Sequence, residues 1–463
     1  MTRREGETTR GYSSNTDDQN AIIMENYTVL KVGEEKANEI SRVRARYRDE
    51  KYSQLLRQWD YEKHEVMDEA IRKDDRVLTK DEVLDNSGRV IQQAEYETKK
   101  VNRIASSLEQ TIVEIQTAFI IGLDPNLQAK PRNDAESQML EVIGDTESKN
   151  KMRFVNQRVV RSLLSETMVA EYWWSVEDPE FYEDKPYAGV ARNRLRCEVW
   201  SPFRGDKLVP IKDAYGDLVR FYRFYSIKDD NGVEIQRLME IDKDEVTLYE
   251  HRAGADAGWV TLRKTAHGFG KIPVVYMEME RALCDKIQSK RKRIEELESN
   301  FADCINDNFF PKVLVNGMVR GVQKSGKTQT IEMSGDGADV RYLTWDQSTN
   351  AAESEISRHI DDCFTLTMTP RISPKDLQGL GSALSGVAFK YVFMGAHISV
   401  RKHEEVIGEY LSRRYSFLKR AISLQVPSIA KGRSLRIDPV LVPFTIEEST
   451  AEMEKPKKES DSE

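Results

Sequence analysis

Cysteine is scarce in this 463-residue chain. Cys197, Cys284, Cys304 and Cys363 stand far apart, with no C-x-x-C pair and no histidines at ligand spacing. That excludes a disulfide frame or a zinc site and reads as reduced thiols in a cytosolic setting. Long apolar runs are missing too. No run of about eighteen apolar residues occurs, and the opening MTRREGETTRGYSSNTDDQN has no apolar core. Neither a transmembrane helix nor a signal peptide is expected, and no membrane partner. An excess of positive charge is also absent: 70 Lys and Arg against 78 Asp and Glu leave a net charge of -8. A simple basic nucleic-acid binder is excluded, though not a surface with locally arranged charge. There is no G-x-S-x-G elbow and no Cys/His arrangement with a supporting context. The pairs Asp361-Asp362 and Glu404-Glu405, and His359, His397 and His403, fall on expected helices without catalytic or metal-ligand partners. No catalytic residue, metal or cofactor is expected, and the chain does not read as an enzyme.

What the chain has is charge, on 32% of its residues, which fits much exposed, salt-bridged helix. Its length allows two to four domains and a sizeable core. Residues 1–20 are polar without periodicity and read as disordered. Residues 34–75 read as helix with a thin apolar face (Ile40, Val43, Tyr47, Leu55, Trp59). Thr79 and Glu82 in VLTKDEVL form a capping-box pattern that opens a second helical region to about Lys100. Val101, Ile104, Leu108, Ile112, Ile115 and Phe119 predict a buried helix over 101–121, closed by Gly122. Helix continues over 136–170. From YWWSVED the period becomes that of strands, and Leu195 to Tyr276 reads as an antiparallel meander of five or six strands.

The stretch from Arg281 to Phe393 organises the rest. Leu283, Ile287, Lys290, Ile294, Leu297, Phe301 and Cys304 alternate spacings of four and three over a helix spanning about 280–310, about 46 Å long. So narrow a stripe on so long a helix wants neighbours from other helices. A module of short strands follows over 312–345, with turns at Asn316-Gly317, Ser325-Gly326 and Gly335 to Gly337. A second helix, about 350–367, carries Ile356, Ile360 and Phe364 on one side. Then come a breaker-rich loop and a helix from about Ser382 to Leu424, LRIDPVLVPFTI as a strand-like piece, and a charged tail. Within the module, Gly321 to Thr328 fits the phosphate-loop pattern G-x-x-x-x-G-K-[ST]. Such a loop needs a helix after it, whereas here an alternating strand follows, so the match reads as a hairpin turn. The run Lys290, Arg291, Lys292, Arg293 is followed by Glu295, Glu296 and Glu298. It is either a helix surface laced with ion pairs or a basic collar near nucleic acid. The loop bearing Arg371 and Lys375 is long enough to suggest a function, facing DNA.

In this order the features resemble the portal proteins of tailed bacteriophages with long non-contractile tails. The residues that carry the resemblance are Thr117 to Gly122, VVRSLLSETMVAEYWWSVED, Gly268 to Val275 leading into the long helix, and Leu380 to Lys390, which is similar to the family's S-G-x-A-x-K segment. The resemblance implies an α+β portal fold. Residues 21–278 would be a wing, 279–310 and 346–367 two stem helices, and 311–345 a small α/β clip. A tunnel loop would take 368–381, a wing helix with reduced crown 382–424, and a strand with disordered tail 425–463. It implies a homo-oligomeric ring, usually of twelve, around a double-stranded DNA channel at one capsid vertex of the virion, assembled in the host cytoplasm. Its partners would be the terminase large subunit, the major capsid and scaffolding proteins, and a head-completion or adaptor protein. Candidate residues are Arg371, Ser373, Lys375, Gln378, Gly379 and Gly381 in the tunnel loop, and Arg320, Lys324 and Lys327 in the clip. Leu283, Ile287, Ile294, Leu297, Phe301, Ile356, Ile360 and Phe364 would pack the stem, and Lys290 to Arg293 would form the collar. Competing readings are an ATPase using Gly321 to Thr328 and a coiled-coil scaffold.

Overall fold

The computed structural model describes residues 30–80, 83–84, 90–252, 257–308, 312–325, 328–343, 349–371 and 393–443. Residues 1–20 and the charged tail, expected to be disordered, lie outside them. The described residues combine helix with antiparallel sheet, an α+β chain in two compact units.

The first unit draws on the described residues of Met1–Tyr47, Trp173–Ser175 and Arg204–Val274. Five strands pair antiparallel in chain order: Lys207–Lys212, Leu218–Lys228, Glu234–Ile241, Glu245–Arg252 and Gly258–Ala266. Leu30–Lys31 adds to the last. Aspartates set three of the turns, at Asp213, Asp229 and Asp242. Asp229 Oδ1 accepts from the backbone N–H of Asn231 (2.9 Å) and Val233 (2.7 Å), and Gly232 takes the left-handed φ of 78° that this turn requires. Helix Glu34–Arg44 contributes buried Ile40 and Val43. It is tied to the sheet through Glu240, which accepts from Lys36 (2.9 Å), Tyr222 (3.1 Å) and Tyr249 (2.8 Å). The meander is shorter than expected. RCEVW and IPVVYM leave it for a separate three-stranded sheet of order Val274–Glu278, Met168–Glu177, Asn193–Trp200.

The second unit takes the described residues of Arg48–Tyr172, Val176–Phe203 and Val275–Glu463. Several expectations are corrected here. The helix expected over 34–75 is interrupted: Asp49–Trp59 follows Glu34–Arg44 as a separate helix, and short 3-10 turns replace it up to Met67. The described residues among 79–100 form no helix. Asp75–Lys80 pairs with Glu95–Lys99, and Val83–Leu84 with Val90–Gln92. The Thr79 hydroxyl, read as a helix cap, donates instead to the Glu95 carbonyl across the ribbon (3.0 Å). The buried helix begins at Leu108, not Val101. Ahead of it, three backbone N–H groups are already satisfied by side chains of helix Gln288–Asn308: Asn102 by Asp303 (2.8 Å), Ile104 by Ser299 (3.0 Å) and Ser106 by Glu295 (3.0 Å). A backbone bound in this way has less to gain from coiling.

The helix expected over 136–170 is two helices and the start of a strand. Asp134–Lys149 ends at Lys151, which adopts a left-handed φ of 53°, and Met152–Glu166 ends at Thr167, with φ 67°. A β-branched residue there is strained. Thr167 is held by its N–H on the Leu163 carbonyl (3.1 Å) and by its own carbonyl, which accepts from Met279 (2.7 Å). Met168 opens the strand Met168–Glu177, whose first four residues are all buried, so both faces of the strand are covered there and Met168, Val169 and Ala170 are apolar without alternation. Helix Met394–Gln425 runs through the core with Tyr410, Leu411, Leu418 and Ile422 buried. The expected C-terminal strand forms as Ile437–Val440 and pairs with Asn126–Ala129.

One charged cluster sits inside this core. Arg414 and Glu171 are fully buried, at 0% exposure each. Arg414 donates to Glu171 from Nε (3.0 Å) and Nη2 (2.7 Å) and to Asn156 Oδ1 from Nη1 (2.7 Å), while the Tyr410 hydroxyl also donates to Glu171. Every nitrogen of the guanidinium has a partner, so the pair is tolerated where a lone charge would not be. Replacing Arg414 with Ala leaves Glu171 buried and uncompensated. A loss of about 3–5 kcal/mol in denaturant stability is expected, whereas Arg401→Ala, at an exposed position of the same helix, should change it by less than about 0.5 kcal/mol.

Candidate functional site: the helix-hairpin-helix segment

Helix Gln288–Asn308 is shorter than the seam implied, 21 residues or about 32 Å. Residues 280–287 do not join it. Leu283 gives its N–H to the Leu164 carbonyl (2.9 Å), Asp285 Oδ2 accepts from the Ala282 N–H (3.1 Å), and Asp285–Ile287 closes as a 3-10 turn. Leu283, Cys284 and Ile287 therefore enter the core as a turn. From the turn onward along the helix, the seam comes out by degrees. Ile287 and Ile294 are 0% and 1% exposed, Leu297 and Phe301 are half-buried, and Ile305 reaches 42%.

The four cations of the basic run each meet a carboxylate of this unit. Lys290 pairs with Asp362 (2.6 Å), Lys292 with Glu65 (2.5 Å) and Arg293 with Glu355 (3.1 Å). Arg291 is not a surface cation at all. It is 2% exposed and contacts Glu109 (3.0 Å) and Glu295 (2.6 Å). Position 290 meets 362 and 293 meets 355, so helix Thr349–Leu366 runs antiparallel to the first. On it, Ile356, Ile360 and Phe364 are half-buried and Cys363 is buried.

Around Arg291 lies a network that pattern reading did not find. His64 is 3% exposed, with Nδ1 at 2.6 Å from Glu295 Oε1 and Nε2 at 2.9 Å from the Gln58 carbonyl. Both ring nitrogens face acceptors, which suits the doubly protonated ring. Burial disfavours that charge, but Glu295 and the Gln58 carbonyl outweigh it and hold the His64 pKa above its ordinary 6.5. Glu295 responds in the opposite sense. Burial would raise its pKa, yet His64, the Ser106 N–H and Arg291 hold it below 4.5. Glu109 is raised, because burial outweighs its contact with Arg291. The i,i+4 spacing of Arg291 and Glu295 was visible in the sequence; the histidine lies 231 positions away.

Between the two helices, Lys312–Ser325 and Thr328–Leu343 form an antiparallel hairpin, closing with Ser325 opposite Thr328. The turns expected at Asn316-Gly317 and Gly335 to Gly337 are not chain reversals. They are register shifts inside two long strands, and the described part of the module has no helix to make it α/β. Thr328 begins a strand, so the phosphate-loop pattern lacks the helix N-terminus that would hold a phosphate. Arg320 and Lys324 lie on the first strand, and Lys327 lies outside the described residues. In the expected tunnel loop, Arg371 is described and pairs with Asp361. Ser373, Lys375, Gln378, Gly379 and Gly381 lie outside the described residues, as does the expected start of the last long helix near Ser382. Among the described residues no cluster of metal-ligand side chains occurs, and no helix is long and apolar enough to cross a membrane.

A family model described as "Phage portal protein, SPP1 Gp6-like" matches residues 45–436. No curated protein matches the chain. Among solved structures the chain is similar to one from "Virion of native gene transfer agent (GTA) particle", at 11% identity over 77% of this chain and 84% of that one, with a TM-score of 0.36. It is also similar to one from "Neck of native GTA particle computed with C12 symmetry", at 11% identity over 72% and 78%, with a TM-score of 0.34.

The His64–Glu295 pair makes stability depend on pH in a defined direction. A histidine with a raised folded pKa contributes fully below its unfolded value of 6.5, and that contribution is lost as pH rises through the folded pKa. Glu295, depressed, contributes above 4.5 and loses its share as pH falls through its folded pKa. Melting temperature should therefore decline as pH rises above 6.5. In His64→Gln the decline should flatten, with stability at pH 6 lower by about 3 kcal/mol. Parallel pH profiles for the two proteins would contradict this.

Proposed function

The chain belongs to the SPP1 Gp6-like phage portal protein family, and from that membership we propose that its copies close into a ring around a channel for double-stranded DNA. The observation that carries the ring is the graded exposure of helix Gln288–Asn308. Its foot is covered by its own chain, while Ile305, on the same stripe near the hairpin, is 42% exposed. A neighbouring copy that brings its own paired helices alongside would cover that end by a head-to-tail contact, and such a contact closes when the rotation between copies divides the circle. Twelve copies is the number the resemblance implies. The paired helices act as the stem, the hairpin as the clip, residues 368–381 as the tunnel loop, residues 21–278 as the wing, and 382–424 as the wing helix with a reduced crown.

The ring sits at one capsid vertex, after assembly in the host cytoplasm with major capsid and scaffolding proteins. It passes the genome inward during packaging and outward during ejection. The clip receives the terminase large subunit first and a head-completion or adaptor protein afterwards. The protein performs no catalysis; nucleotide hydrolysis belongs to the terminase. The stem's charge pattern supports a channel that does not grip. The cations Lys290, Lys292 and Arg293 are matched by carboxylates, and Arg371 by Asp361, so none is committed to phosphates in advance. Heavy phosphate neutralisation would slow a sliding duplex.

Electron microscopy of the purified protein should show rings with a central hole. Ile305→Asp should abolish them while leaving the melting transition of the unassembled chain within about 0.5 kcal/mol of wild type. Rings that survive this change would remove the exposed end of the helix from the interface, and a chain that stays monomeric at high concentration would remove the ring. Arg371→Gln combined with Lys375→Gln should impair DNA packaging without preventing assembly.

A further inference from the structure

Charge is spread unevenly along this net-negative chain. Between Glu409 and Asp438 it carries seven cations and no carboxylate. Two of the seven are spent, Arg413 on Glu409 and Arg414 on Glu171. Lys431, Arg433 and Arg436, at the end of the segment, are exposed, and the fold sets them beside Lys130 and Arg132, which are exposed as well. Three contacts fix this placement. Strand Ile437–Val440 pairs with Asn126–Ala129, with Ile437 opposite Ala129, so Arg436 and Lys130 flank that pair on the two neighbouring strands. Arg132 Nη2 donates to the Ser434 carbonyl (3.4 Å). Gly432, between Lys431 and Arg433, lies so close to helix Asp134–Lys149 that a Cβ there would stand 2.3 Å from the Ala135 carbonyl oxygen. The 3-10 helix Pro427–Ser434 is thus pressed against the first turn of that helix, next to Arg132.

This basic rim is only partly neutralised. Arg132 pairs with buried Glu136 (2.7 Å) and Arg436 with Asp438 (2.8 Å). Arg132 spends Nε and Nη2 and Arg436 spends Nε, so Nη1 of the first and both Nη groups of the second keep no partner among the described residues. The side chains of Lys130, Lys431 and Arg433 make no hydrogen bond or ion pair with any described residue. Counting exposed Asp134, five cations meet three carboxylates. In the stem, by contrast, Lys290, Lys292 and Arg293 each have a carboxylate. The rim also lacks apolar surface: no large hydrophobic side chain is exposed in 126–140 or 427–440. A stable protein contact is built on a desolvated apolar centre, whereas a phosphate backbone asks only for charge. We propose that Lys130, Arg132, Lys431, Arg433 and Arg436 hold the phosphate backbone of double-stranded DNA. The inference rests on the DNA-conducting role proposed above and adds a place on the same chain where a duplex is gripped. Contacts to phosphate alone read no sequence. Lys and Arg stay charged between about pH 6 and pH 8, so binding depends steeply on salt and hardly on pH.

The test titrates a fluorescent DNA duplex of arbitrary sequence with the full-length protein and reads anisotropy over a range of salt. Saturable binding that weakens as salt rises is expected. Lys431→Gln with Arg433→Gln should weaken it about tenfold or more near 0.1 M salt and lower the slope of log K against log salt by about two. These side chains hold no other part of the fold, so the melting transition should stay where it is in wild type. Lys431→Arg with Arg433→Lys should bind as wild type does. Lys212→Gln with Lys228→Gln removes the same charge from exposed positions of the first unit and should leave binding intact. Equal losses in the two Gln pairs, no loss in either, or no binding by wild type overturns the site. Poly-glutamate that competes as well as unlabelled duplex of equal charge overturns the assignment to DNA in favour of an acidic polypeptide. Rings are scored separately by microscopy, and the five residues lie on one chain. Rings without rim-dependent binding defeat this site alone, and rim-dependent binding without rings defeats the proposed ring alone.

Discussion

Four ionisable side chains have to be buried together at the foot of helix Gln288–Asn308, and much of the second unit is arranged to make that tolerable. Arg291 lies between Glu109 and Glu295, and Glu295 in turn holds His64. Removing any one leaves a charge in the interior, which costs far more than the intact set returns. The network brings three distant parts of the chain to one place: the 3-10 turns after Trp59, the start of helix Leu108–Ile121, and the long helix itself. It also accounts for the extended run before Leu108, whose N–H groups are bound along that helix by Asp303, Ser299 and Glu295. The helix is thus fixed in rotation as well as position, since turning it would strand all three backbone donors at once.

Charge on the inside and apolar surface on the outside divide the labour along this element. Near its start, specificity within one chain comes from ion pairs that accept only one geometry. Toward the hairpin, the stripe that ends at Ile305 is apolar and non-directional. A surface of that kind suits contact with copies of the same chain. The antiparallel helix Thr349–Leu366 is clamped by Lys290–Asp362 and Arg293–Glu355, so the pair behaves as one element with a hairpin at its end.

Much of the helical content was legible from apolar spacing, because Ile112, Phe119, Met139, Val159, Leu163 and Ile294 are buried as their periodicity required. The strands from Leu218 to Ala266 were legible from alternation and from the Asp and Gly turns, whereas Lys207–Lys212 was not singled out. What periodicity could not foresee were decisions made by distant partners. The run 101–107 has helical spacing but spends its donors on another helix. Residues 75–99 carry a capping pattern whose threonine bonds across a ribbon instead. Arg291 sat in a run of four cations and read as surface, because its two carboxylates and the histidine behind them come from separate parts of the chain. The phosphate-loop pattern failed for a local reason that was visible: a strand follows Thr328 where a helix was needed.

The hairpin between the helices has an uneven ladder. Asn316 pairs with Asp339 and Met318 with Ser334, so residues 335–338 stand opposite Gly317 alone, and a second shift follows at Arg320. A two-stranded ribbon leaves both outer edges without partners, and long straight edges invite stray strands to add on. Here each edge is broken into short segments, 312–316 and 321–325 on one strand, that differ in direction where the register jumps. An incoming strand would have to copy both the side loop and the bulge to bond along the whole length. Irregularity of this kind makes the ribbon a poor template for strand addition.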